Sequence, residues 1–104
     1  MTIQVGNVTT TVASVYTSSG NSAITFLSLC NYSVGNVTAN VYVVPSGDTV
    51  SNLNAIVKNI NITIGDTYQI YAGSEKLLLS NGDSVQVDAN VDNAITTVTS
   101  YTSI

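Results

Sequence analysis

The amino-acid sequence predicts an all-β fold: a two-sheet β-sandwich of about seven or eight antiparallel strands, immunoglobulin-like or jelly-roll-like in plan. Three observations carry that expectation. Ser84 to Val91 alternates strictly, with Val85, Val87, Ala89 and Val91 on one side and Ser84, Gln86, Asp88 and Asn90 on the other, as a half-buried strand must. One kind of corner recurs at Gly47-Asp48-Thr49, Gly65-Asp66-Thr67 and Gly82-Asp83-Ser84, where Gly supplies positive φ and Asp bonds nearby amides. Finally, no segment of about ten or more residues carries a helical stripe.

Taken in order, residues 1–7 read as an N-terminal arm able to add to a neighbouring sheet. Val8 to Thr17 is dominated by β-branched and aromatic types and reads as a strand, closed by the Ser18-Ser19-Gly20-Asn21 break. Ala23 to Cys30 is almost continuously apolar, as a central strand can be. After Ser33-Val34-Gly35-Asn36, a second alternation sets Val37, Ala39, Val41 and Val43 against Thr38, Asn40 and Tyr42. Val50 to Ala55 has room for a turn of helix. A third alternation puts Ile56, Ile60, Ile62 and Ile64 on one face, with Lys58 among them at an edge or snorkelling outwards. Ala72-Gly73-Ser74 is a further break, and Ala94 to Tyr101 reads as the last strand. The corner glycines are 18 and 17 residues apart, but the segments between them are unlike, so this is not a solenoid. Residues 1–104 are expected to form one domain, the usual outcome at this length.

Composition excludes more than it assigns. The chain has no His, Arg or Trp, and its charged side chains are 2 basic and 6 acidic. His is the side chain that titrates unperturbed between pH 5 and 8, so an enzyme is not expected. The 8% charged share is far below the roughly 25% of ordinary domains, and polarity rests on hydroxyls and amides instead. A net charge of −4, with only Lys58 and Lys76 positive, gives phosphate backbones nothing to bind, so no nucleic-acid partner is expected. No apolar run approaches the ~20 residues of a membrane helix, and Met1-Thr2-Ile3-Gln4-Val5 does not read as a secretory signal. Neither a membrane partner nor export by the general route is expected.

Cys30 stands alone within Phe26-Leu27-Ser28-Leu29-Cys30 and reads as a small buried hydrophobe, since no cationic neighbour is visible to activate its thiol. N-glycosylation patterns begin at Asn7, Asn31, Asn36 and Asn61, as a chain this rich in Asn, Ser and Thr produces by chance. Asp88, Asn90 and Asp92 offer oxygens at every second position, as a calcium loop begins. The pattern then stops, because Asn93 stands where Gly is needed and Thr99 where a bidentate Glu is needed. Asp48, Asp66, Glu75, Asp83, Asp88 and Asp92 supply carboxylates, but three belong to corners and nothing nearby would polarise a substrate. Glu75 and Lys76 read as a charged pair guarding a strand edge. No catalytic residue, metal or other cofactor, or small-molecule ligand is assigned.

Contact residues remain. The tyrosines Tyr16, Tyr32, Tyr42, Tyr68, Tyr71 and Tyr101 bring large area at low entropic cost. Tyr42, on the polar side of its strand, is the first choice for an outward aromatic. Tyr32, and Ile3 and Val5 in the arm, complete the interface candidates.

The stretch from Cys30-Asn31 through Val41-Tyr42-Val43-Val44-Pro45-Ser46-Gly47 resembles small virion proteins of tailed bacteriophages. These have a strand ending in Cys-Asn, a turn rich in Ser and Gly, a Val-Pro-Ser-Gly corner, an Asn-Ala-Ile segment and a Gly-Asp-Thr turn. The last two are Asn54-Ala55-Ile56 and Gly65-Asp66-Thr67 here, and Leu78 to Val85 is similar to the closing Gly-Asp-Ser, Val of such domains. The resemblance covers roughly residues 20–104. It implies a non-enzymatic virion structural protein: a capsid decoration or cement protein, or a head–tail connector or tail accessory subunit. It further implies synthesis in the bacterial cytoplasm, and copies of itself and other virion proteins as partners. The alternative is a β-sandwich module that binds carbohydrate or a host surface, resting on the tyrosines and amide-rich loops; the missing Trp counts against it.

Overall fold

The alternating and apolar segments of the sequence become strands because each has one face to bury. The structure, a computed structural model, describes residues 2–70 and 76–104. Among them are β1 (Thr2–Val8), β2 (Ala13–Thr17), β3 (Ser22–Asn31), β4 (Val37–Val44), β5 (Ala55–Ile62), β6 (Thr67–Ile70), β7 (Leu77–Leu79), β8 (Ser84–Ala89) and β9 (Ile95–Ser103). The expected helical turn is a single 3-10 turn at Asn52–Asn54, capped by the Ser51 side chain on Leu53 N–H. Met1, Tyr71, the Ala72-Gly73-Ser74 break and Glu75, with its suggested pairing to Lys76, lie outside the described residues.

Pairing is antiparallel throughout and nested: β1 with β9, β2 with β8, β3 with β6 and β4 with β5. The chain is in effect one long hairpin, rolled so that successive pairs fall alternately in two sheets. The orders are β1-β9-β3-β6, with β7 also on β3, and β2-β8-β4-β5. Nested pairs shared between two sheets make a jelly roll, which decides between the two plans the sequence left open. Short β7 pairs with Ser22–Ile24 and β6 with Leu27–Cys30, so together they line the far side of β3.

The core lies between the sheets, built from Ile24, Leu27, Leu29 and Ile95 of the first and Val41, Val85 and Val87 of the second. Each fully buried aliphatic side chain contributes about 1.5–3 kcal/mol. Three bulges tune the faces. The bulge between Ser14 and Tyr16 turns both Val15 and Tyr16 inward, and that at Thr25 restores the inward phase for Leu27. In β5, Asn59 adopts φ 54 and the register slips twice against β4, so Val57 and Ile60 pack on the core while Ile56 is 43% exposed. The single isoleucine face expected from Ile56 to Ile64 is thereby broken.

The expected N-terminal arm is also corrected. Thr2–Val8 pairs with Tyr101–Ile95 without a register break, inside the chain's own sheet. Val8 is buried, and Gly6 is so crowded that a Cβ would stand 2.9 Å from Oγ1 of its cross-strand partner Thr97 and 3.6 Å from Val15 on the facing sheet.

The three Gly-Asp corners are alike, with Asp48, Asp66 and Asp83 N–H donating to Pro45, Thr63 and Ser80 C=O across a glycine at positive φ. Asn31, fully buried, ties the opposite sheets together at one end. Its Nδ2 donates to Gly35 and Ile62 carbonyls at 2.8 Å each, while its Oδ1 accepts from Ser33 N–H at 2.9 Å and Ser33 Oγ at 2.7 Å.

Candidate interaction surface

Strand β1 positions two of the sequence's interface candidates. Gln4 donates through Nε2 to Val15 O on the facing sheet and Gly6 abuts Thr97, so Gln4, Gly6 and Val8 point inward. Ile3, Val5 and Asn7 therefore point outward, with Ile3 67% and Val5 68% exposed. The register sets Ile3 in line with Ser100 and Phe26, and Val5 in line with Val98 and Ser28. At the far side of the same face Leu78 of β7, beside Ala23, is 67% exposed.

Among the described residues, the strands that build this face carry no carboxylate or amine side chain. None of the five strands of the first sheet contains an Asp, Glu or Lys. The second sheet holds Lys58 on β5 and Asp88 on β8, and Asp48, Asp66, Lys76, Asp83 and Asp92 lie in connections. The second sheet's outward face is accordingly polar and internally bonded: Asn40 accepts from Asn59 N–H at 2.7 Å and donates to Asp88 Oδ1 at 2.7 Å.

Tyr42 does point to the outward side of its sheet, but it is not an exposed aromatic. It is 5% exposed, outside the inter-sheet core, with Lys58 lying across its ring. Lys58 Nζ stands 5.4 Å from the ring centroid and donates to the Tyr42 hydroxyl at 3.1 Å. Tyr32 is exposed at 53%, at the end of the sandwich where β1, β3, β5 and β8 finish. Its hydroxyl donates to Asn7 Oδ1 at 2.9 Å, and Asn7 Nδ2 donates to Asn93 Oδ1 at 2.8 Å. Tyr16 belongs to the core, its ring centroid 4.4 Å from that of Tyr101.

The calcium candidates accept, each through a side-chain oxygen, from separate backbone and side-chain donors. Asp88 Oδ1 accepts from Asn40, Asn90 Oδ1 from Thr38 N–H at 3.0 Å, and Asp92 Oδ1 from Thr10 N–H at 2.7 Å. Their spacing follows the strand's outward alternation into a loop, not a common centre. Among the described residues no three His, Cys, Asp or Glu side chains are grouped to hold a metal. Asp83 accepts from Ser46 N–H and Ser80 N–H at 2.9 Å each, which holds its carboxyl below the usual carboxylate value. Cys30 is half-buried rather than buried, since it lies on the outward side of β3 beside Thr96 and Thr67.

Sequence reasoning missed Asn31 and Gln4 as structural residues. The partners that carry them across to the other sheet, Ile62 and Val15, lie 31 and 11 positions away, although Asn31 also makes local bonds to Ser33 and Gly35. Asn31 is also closed to glycosylation, its amide being buried and bonded on both sides. Searches against protein-family models, curated proteins and solved structures find no match to this chain.

Proposed function

We propose that this protein is a non-enzymatic structural subunit of a virion, of the tailed-bacteriophage kind its corner motifs resemble. It acts by packing its surfaces against copies of itself and other virion proteins, as a capsid decoration, connector or tail accessory subunit. The observation that carries this reading is the outward face of the β1-β9-β3-β6 sheet, whose described strands contain no Asp, Glu or Lys and leave Ile3, Val5 and Leu78 about two-thirds exposed. Such a face suits burial against protein, because it brings apolar area to the contact and no charge to desolvate.

The chemistry available elsewhere supports a non-catalytic role. Asp66, Asp83, Asp88 and Asp92 are engaged in turns and neighbouring amides. The carbohydrate-binding alternative needs open aromatics, and of its candidates Tyr42 is covered while Tyr32 has its hydroxyl engaged. A mass-spectrometric inventory of purified particles tests the proposal. The chain is expected in fixed copy number relative to the major capsid protein; particles that lack it overturn the reading.

A further inference from the structure

Every open β-sandwich has edges, and an edge that is long, regular and uncharged pairs with another strand unless something blunts it. The edges of this molecule are not treated alike. β5 is broken by two register slips and carries Lys58. β2 is bulged between Ser14 and Tyr16, and its Val15 carbonyl is already taken by the Gln4 side chain at 2.8 Å. On the far side of the first sheet, β7 has 3 residues with Lys76 directly before it, and β6 is described over 4 residues. β1 has none of these devices: it runs for 7 residues in unbroken register, without Pro, charge or bulge. Alternate residues of β1 direct N–H and C=O groups away from β9, as an antiparallel ladder requires.

From this asymmetry we infer that β1 is a pairing edge whose occupant is β1 of a second copy of this chain. Two copies meet antiparallel about a two-fold axis perpendicular to the sheet and centred on Val5. Val5 then stands opposite Val5, and Ile3 opposite Asn7, so the exposed apolar side chains share one face across the joint. The two five-stranded sheets become one continuous sheet, whose described strands contain no Asp, Glu or Lys on either side of the axis. A chain of net charge −4 resists self-association, but here none of the described charges sits on β1, and the one bonded next to it, Asp92 on Thr10 N–H, lies past the strand's end and far from the axis at Val5. A foreign strand would match the hydrogen bonds equally well. The second copy is favoured because β1 matches itself about Val5: its exposed apolar side chains fall on one face of the joint and no like charges meet. The pairing names a partner within the assembly reading, but its geometry does not depend on where that assembly occurs.

Light scattering of the purified full chain across a concentration series tests it. The mass is expected to rise from 10.8 kDa to twice that value. Val5→Lys and Val5→Glu each place like charges face to face at the axis, and each is expected to weaken the dimer by about tenfold or more while matching the parent's melting temperature at a dilution where both are monomeric. An equimolar mixture of the two variants restores the dimer, because Val5 faces its own copy. Leu53→Lys, at a side chain 99% exposed on the 52–54 turn, dimerises like the parent. A parent chain monomeric at every concentration, a Val5→Lys variant that dimerises like the parent, or a mixture that stays monomeric overturns the pairing. A monomer nonetheless found in purified particles overturns the pairing and leaves the virion reading standing; a dimer absent from particles does the reverse.

Discussion

At the scale of single residues, stability here turns on where neutral polar groups are buried. Asn31 satisfies two carbonyls, one amide and one hydroxyl from a fully buried position, so replacing it leaves several partners stranded without water. Asn31→Ala is expected to cost about 3 kcal/mol, read as a lowered urea midpoint at unchanged slope. Thr99 presents the opposite case. Its Oγ1 is buried with no hydrogen-bond partner among the described residues, on a strand whose inward face also buries Thr97. Thr99→Val keeps the branched shape and removes the unpaired hydroxyl, so stability should rise by about 1 kcal/mol and the melting temperature by about 5 °C. A fall in melting temperature would mean that the hydroxyl is satisfied after all, for instance by a buried water.

Elements are joined by corners, and the two corners at the end opposite Asn31 are clamped to each other. Asp83 accepts from Ser80 within its own turn and from Ser46 in the neighbouring one, while a Cβ on Gly82 would stand 2.6 Å from Ser46 Oγ. Those amide bonds favour the ionised carboxylate and lower its folded-state pKa. The clamp therefore adds stability above the ordinary value of 3.8 and loses it as pH falls below that value through the lower folded one. Asp83→Asn should flatten this part of the acid limb in a pH series of melting temperatures; identical limbs in parent and variant would remove Asp83 from the account. The corners themselves were legible in the sequence, because positive φ at Gly followed by Asp is a local requirement. So was β8, whose alternation needs no partner to be read. The bulges at Val15, Thr25 and Asn59 were not, since a bulge is a mismatch between two strands and neither strand records it alone. For the same reason the outward side of Tyr42 was legible but its burial was not: the Lys58 that covers it lies 16 residues on, across a slipped register.

For the whole molecule, the nested pairing makes the two ends of the chain structurally inseparable. β1 is the first strand and β9 the last, and their union closes the rolled hairpin over Val15, Thr97 and the first layer of core. Contacts between strands so far apart in sequence are entropically expensive to form, so the fold depends on all of them being made together. Deleting residues 1–7 would remove most of that outermost pair, uncover Val8 and turn β9 into an edge. Such a truncation is expected to lower unfolding stability by on the order of 3 kcal/mol, seen as a reduced urea midpoint together with a smaller slope from the lost buried area. The composition explains why this strand is both structural and exposed. With 8% charged residues, the chain has few side chains to spend on guarding edges, and the described charges lie on β5, β8 and the connections rather than on β1. A truncated chain that lost its dimer would therefore leave folding and assembly confounded. A charge at Val5 separates them, because it acts on the outer side of a strand whose inner side still holds the sandwich closed. If removal of residues 1–7 instead leaves the urea midpoint unchanged, β1 contributes little to the isolated fold, and its regular edge serves association with a neighbour almost entirely.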